Sequence, residues 1–234
     1  MNPRQIIADN VARIRQRIAA AAARSGRSAD AVKLIAVTKY VGLDEIAALR
    51  EAGCSAFGES QPQTLWKKAA TLPGEPIDWH FIGHLQRNKV RRTVPLVACL
   101  HSGDSLRLLE ELNAEVQRAS LPRFPVLLEV NVSGDESKHG FAPGELEALW
   151  PALAALVHLE IRGLMGMAAL EGGVDVARQN FQSLRECRDR LQKSDPKGIA
   201  LAELSMGMSG DFEVAIEEGA TMVRVGSSLF EGVE

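Results

Sequence analysis

Short apolar runs alternate along this chain with longer amphipathic stretches. The run Lys33-Leu-Ile-Ala-Val-Thr-Lys39-Tyr40 is rich in β-branched residues, does not alternate with polar ones and ends near a lysine. Such a run reads as a strand buried on both faces. Runs of the same kind recur at 55–59, 78–83, 97–102, 125–132, 159–165, 202–206 and 221–226. Helical patterns fall between them: 43–52, 63–70, a short basic helix at 86–92, 105–119 with Asp104 as its cap, 143–157, 174–193 and 211–218. Ahead of the first strand, Ile7, Val11, Ile14 and Ile18 repeat at helical spacing over residues 3–25, and Gly26 supplies a stop.

Eight strands alternating with helices across short loops predict an α/β fold, a single-domain (β/α)8 TIM barrel with an extra N-terminal helix. One domain is expected over residues 1–234, with a leading helix at 1–26, the barrel at 33–227 and a short C-terminal turn at 228–234. An open doubly wound sheet is the alternative, but no G-x-G-x-x-G or G-x-x-x-x-G-K-[ST] follows any strand. Pro73-Gly74 breaks the helix before the third strand. Hydrophobic content of 46% with 24% charged residues is that of a soluble globular chain. A net charge of −3 argues against nucleic acid as a partner. No apolar run approaches the ~20 residues of a membrane span, and the N-terminus lacks a signal peptide's apolar core. Cys54, Cys99 and Cys187 are an odd, dispersed set without C-x-x-C, which fits structural thiols in a reducing cytoplasm.

Barrels place chemistry at the carboxyl ends of their strands. Here those ends carry Lys39, Glu59-Ser60, His80 to Gly83, His101-Ser102, Asn131, Met165, Ser209 and Arg224 to Ser227. The set is polar and mostly cationic, and its convergence marks a ligand site. Phosphate in barrels is commonly held by the loops after strands seven and eight, aided by a short terminal helix. Those loops are Met206-Gly-Met-Ser-Gly210 and Arg224-Val-Gly-Ser-Ser228, with hydroxyls at Ser209 and Ser227. A phosphate site beside a lysine across the barrel seam suits a phosphorylated aldehyde held as a Schiff base, for which pyridoxal phosphate is the natural cofactor. A free lysine near ~10.4 is rarely neutral at pH 7; partial burial and the charge of Arg224 are expected to lower that value at Lys39. Arg224 is placed to meet the pyridine nitrogen, or alternatively to pair with Glu203. The H-x-x-x-H spacing of His80 and His84 lacks a catalytic glutamate and a helix, so hydrogen bonding or ring stacking is expected rather than metal. Residues 87–92 read as a solvated basic face, and 133–140 as either a lid or a plain surface loop.

These residues resemble a known family. Lys33–Lys39, Phe57-Gly-Glu59, Trp79–Lys89, His101-Ser102, Val130–Ser133 with Glu136-Ser-Lys138, Arg162–Met165, Leu204–Ser209 and Met222–Gly226 are similar to motifs of the pyridoxal phosphate homeostasis proteins, the YggS/PROSC group. The resemblance spans the chain from leading helix to last strand. It implies the barrel shared with the N-terminal half of alanine racemases and pyridoxal 5'-phosphate joined to Lys39 as a Schiff base. It further implies Arg224 at the ring nitrogen and Ser209, Gly226 and Ser227 on the phosphate. Ser60, His80, Asn131 and Met165 complete the expected cofactor contacts. Ser60 and Gln61 stand where the family usually has Asn and Tyr, and Ser227 where Thr is common. The implied role is storage, delivery and balance of vitamin B6 and amino-acid pools without established turnover, with apo-enzymes as recipients; a monomer is expected, because the racemase dimer depends partly on a further domain.

The alternative is an amino-acid racemase or related pyridoxal enzyme. Racemisation needs a base on each face of the substrate carbon. The chain's one tyrosine is Tyr40, which strand alternation would turn away from Lys39. A guanidinium at the ring nitrogen would also leave that nitrogen unprotonated. A third reading, an aldolase-type barrel enzyme using Lys39, predicts no bound chromophore.

Overall fold

In the computed structural model, residues 2–72, 77–135, 138–194 and 199–233 are described. Helix α1 (Pro3–Arg24) starts at Asn2, whose side chain caps the Arg4 N–H, and buries Ile7, Val11, Ile14 and Ile18. The strands follow: β1 (Lys33–Val37), β2 (Ala56–Glu59), β3 (Asp78–Phe81), β4 (Cys99–Gly103), β5 (Phe124–Glu129), β6 (Leu159–Met165), β7 (Glu203–Ser205) and β8 (Met222–Val225). All pair in parallel, and β8 returns to β1 to close the barrel. Between successive strands lie α2 (Leu43–Glu51), α3 (Pro62–Thr71), α4 (Val90–Thr93), α5 (Leu106–Arg118), α6 (Pro143–Leu153), α7 (Gly173–Ser194) and α8 (Phe212–Glu217). The TIM barrel read from the sequence is the observed fold.

Among the described residues, no α-helix follows β8; only a 3-10 turn, Ser227–Leu229, does. Helix α1 packs against both α2 and α8 and so fills that gap in the helical ring. Asn10 fastens the arrangement, donating from its buried side chain to the carbonyls of Leu229 and Glu231 at 3.1 and 2.9 Å. The extra N-terminal helix is thus the missing outer helix of the barrel, supplied from the other end of the chain.

Several local expectations differ, among them the fifth strand, which ends at Glu129 rather than 132. The first strand ends at Val37, because the Thr38 carbonyl accepts from the Val41 N–H at 3.1 Å and from Lys68 Nζ at 2.7 Å. Those bonds turn the chain, so Lys39 and Tyr40 lie in a turn rather than on a strand. Helix α5 is capped by Ser105, not Asp104, whose carboxylate is instead bonded to His84. Helix α6 stops at Leu153, short of 157. The break at Pro73-Gly74 and the loop residues Glu136 and Ser137 lie outside the described residues. Cys54, Cys99 and Cys187 are free and buried, as structural thiols should be.

Candidate functional site

Arg224, on β8, is a buried cation held by three hydrogen bonds at the carboxyl end of the barrel. Its Nη1 donates to the Ser205 carbonyl at 2.8 Å and to Ser205 Oγ at 2.7 Å, and Nη2 donates to the Gly166 carbonyl at 3.0 Å. It is buried, and loss of solvent lowers its pKa to about 10 against the opposing pull of Glu129 and Asp211, so it remains cationic at neutral pH. The alternative pairing with Glu203 is not formed; Glu203 Oε2 is buried without a partner among the described residues.

Ser205 continues into a chain of hydrogen bonds through the barrel interior. His101 Nδ1 lies 2.8 Å from Ser205 Oγ, His80 Nδ1 lies 2.7 Å from His101 Nε2, and Lys33 Nζ lies 3.4 Å from His80 Nε2. Both ends are donors only, which sets the direction. Lys33 donates to His80, His80 to His101, and His101 to Ser205, whose oxygen also accepts from Arg224. Burial lowers the pKa of His80 to about 4 and that of His101 well below its usual value, so both rings are neutral. His80 was expected at the mouth. Its nitrogens are instead engaged inside the barrel, because its side chain points toward Lys33 at the amino end of β1.

The loops after β7 and β8 meet as expected. Ser209 Oγ accepts from the Gly226 N–H at 3.2 Å and from the Ser228 N–H at 3.5 Å. Gly207 has φ +92°, and a Cβ there would sit 2.6 Å from that of Ala215, so only glycine turns the chain after β7 this tightly. A Cβ on Gly226 would touch Val37 at 3.4 Å, which places the β8 loop against the end of β1. Ser227 is exposed. The terminal 3-10 turn is too short for a helix dipole, so the donors here are individual N–H groups and hydroxyls.

Lys39 extends from the neighbouring β1 loop. It is exposed rather than partly buried, and its ammonium rests 4.8 Å from the centroid of the Tyr40 ring. In a turn the alternation that would separate the two side chains does not operate. The turn is braced from behind by Glu59, which is fully buried. Glu59 Oε1 accepts from Thr38 Oγ1 at 2.6 Å and from Lys68 Nζ at 2.7 Å.

The other expected contacts divide. Met165 is buried in an apolar cluster inside the barrel with Ile35, Leu127 and Met222. Ser60 follows β2, where Gly83 comes so close that a Cβ would lie 2.2 Å from the Ser60 carbonyl. Asn131 is engaged within the β5 loop: Nδ2 donates to the Asp135 carbonyl at 2.8 Å, and Oδ1 accepts from Ser133 Oγ at 3.0 Å. Its first role is to shape that loop. The basic stretch 87–92 packs on an aromatic ring from α3, with the Arg92 guanidinium 4.2 Å from the Trp66 centroid.

Sequence reasoning missed Lys33, Lys68, Ser205 and Glu129. Glu129 ends β5, is buried, and burial with Asp104 nearby raises its pKa to about 7, against Arg224 and His84. A carboxyl inside an otherwise apolar run was the available signal. Lys68 carries none, since a lysine on an amphipathic helix ordinarily faces water.

A parallel barrel with these loops is the architecture of the alanine racemase N-terminal domain, and the model of that domain matches residues 8–233. The pyridoxal phosphate homeostasis protein of Aquifex aeolicus is 40% identical over 223 residues, covering 95% of this chain and 96% of its own. That of Escherichia coli strain K12 is 38% identical over 231 residues, covering 96% and 95%. The structure of PipY from Synechococcus elongatus with PLP bound is 34% identical with a TM-score of 0.84, covering 96% of this chain and 99% of PipY. An alanine racemase from Bartonella henselae with covalently bound pyridoxal phosphate, at 17% identity and a TM-score of 0.72, covers 97% of this chain and 58% of its own, and shares the fold. The chain belongs to the pyridoxal phosphate homeostasis proteins.

Proposed function

We propose that this chain binds pyridoxal 5'-phosphate at the carboxyl face of its barrel and serves intracellular vitamin B6 homeostasis by storing and delivering it. The observation that carries the reading is the placement of the buried Arg224 between Ser205 and Gly166, beside the paired loops of Ser209 and Gly226. The donor set fits the cofactor. Ser209, on whose oxygen the Gly226 and Ser228 N–H groups converge, and the exposed Ser227 present hydroxyls suited to a phosphate. Arg224 presents a donor for the ring nitrogen, and Met165 packs in the apolar layer of the interior. Bound, the cofactor supplies an aldehyde that an amine can hold reversibly, and Lys39, across the seam, supplies the amine. Ser60 and Asn131 stand at the rim of the same face.

The role is carriage rather than turnover. A guanidinium does not give up its proton, so Arg224 leaves the ring nitrogen unprotonated and the ring a weak electron sink. Lys39 and Tyr40 lie against each other in one exposed turn, so they do not bracket a substrate carbon from two faces. We place the protein in the cytoplasm as a single-domain monomer whose recipients are apo-enzymes that use the same cofactor. Among the described residues, no helix is long and apolar enough to cross a membrane.

The test is a visible spectrum of the purified protein with pyridoxal phosphate, before and after borohydride. A chromophore fixed irreversibly by reduction is expected, and Lys39→Ala should lose that fixation. A protein that stays colourless sinks the binding reading. Racemisation of any amino acid at about 1 s⁻¹ or faster, within the usual enzyme range, sinks the carrier reading.

A further inference from the structure

The H-x-x-x-H pair of the sequence is split by the fold. His80 points into the barrel, whereas His84 stands exposed at its carboxyl face and meets two residues from other loops. The His84 and His139 rings stack with centroids 4.2 Å apart and planes within 14°. His84 Nδ1 lies 2.6 Å from Oδ2 of Asp104, whose side chain is only 4% exposed. One ligating atom from each of the three lies within 4.8 Å of the other two.

We propose that His84, Asp104 and His139 form a binding site for a divalent transition ion of the zinc class. Two imidazoles and a carboxylate suit Zn²⁺, Co²⁺ or Ni²⁺, whereas Mg²⁺ and Ca²⁺ prefer oxygen. The ion replaces the proton shared by His84 and Asp104, which leaves to solvent. Zinc bonds of about 2.0–2.2 Å to nitrogen and oxygen require that gap to open slightly. The exposed His139 ring then swings in, and water completes the tetrahedron. Asp104 is the fixed point, because burial leaves its carboxylate little freedom. The ion would tie together the loops after β3, β4 and β5 at the rim of the cofactor face.

A second group, His80, Cys99 and His101, also has ligating atoms within 4.8 Å of one another. There the two rings are bonded to each other, and burial pushes the Cys99 thiol far up, so it stays protonated as part of the packed interior.

The experiment is a calorimetric titration of Zn²⁺ into the chelator-treated full chain. One ion per chain is expected. His139→Ala and Asp104→Asn should each weaken binding about tenfold or more with circular dichroism unchanged, and Cys99→Ser should leave it intact. His139 is exposed, so its variant keeps the fold. Equal affinity in wild type and His139→Ala, loss confined to Cys99→Ser, or no saturable uptake overturns the proposal.

Discussion

Nη1 of Arg224 bonds both the carbonyl and the hydroxyl of Ser205, at 2.8 and 2.7 Å. The guanidinium is therefore oriented by the neighbouring strand before any ligand arrives. Preorganisation of this kind lets a donor act on a ligand without first being ordered.

Removing the hydroxyl tests that relation. Ser205→Ala deletes the acceptor shared by Arg224 and His101 while leaving the backbone carbonyl. Hydrogen bonds to charged groups are worth about 1.5–3 kcal/mol, so affinity for pyridoxal phosphate should fall roughly tenfold in an absorbance titration. Unchanged affinity would show that the carbonyls of Ser205 and Gly166 suffice.

The proposed phosphate role of Ser209 can be separated from recognition of the ring. Ser209→Ala removes the hydroxyl on which the Gly226 and Ser228 N–H groups converge. Weaker binding of pyridoxal phosphate with unchanged binding of unphosphorylated pyridoxal is the expected result of paired titrations. Equal losses for both ligands would place Ser209 elsewhere in recognition.

Glu129 makes stability fall as pH rises. Its carboxyl titrates near 7 in the fold, against 4.5 as the ordinary value. Between those values the native state holds a proton that the unfolded chain has released, so stability is fullest below 4.5 and is lost as pH climbs through 7. Glu129→Gln should therefore raise Tm at pH 8, by an amount on the order of 3 kcal/mol, or several degrees at roughly 2–4 °C per kcal/mol. At pH 4.5 the two proteins should melt together. His80 has the opposite sign: its pKa is lowered from 6.5 to about 4, so its contribution is lost as pH falls through that range.

The Glu59–Lys68 pair is almost fully buried, with side-chain exposures of 0% and 8%. Lys68→Met strands a buried carboxylate and should cost about 3–5 kcal/mol, whereas pairing it with Glu59→Gln should recover most of the loss. Chemical denaturation of the three proteins measures both. Because Lys68 also holds the Thr38 carbonyl, the single variant should weaken the proposed attachment of the cofactor at Lys39 as well.

The sequence by itself determined the barrel, its element order and the pairing of the last two loops, because these rest on local signals. Apolar runs report burial on both faces of a parallel strand, and glycine with serine at a strand end reports a turn with donors. The placement of Lys39 and Arg224 at the carboxyl face was legible for the same reason, as charges at the ends of apolar runs. What only the tertiary structure decided are relations between distant positions. The role of α1 as the missing outer helix depends on closure of the ring. His80 was misplaced because nothing along β3 reveals that Lys33 and His101 offer it partners inside the barrel. Lys68 was invisible because its partner, Glu59, lies on another element. The Lys39 turn was misread as strand because the bonds that end β1 come from Val41 and Lys68, and a buried carbonyl takes whichever donor the fold brings to it.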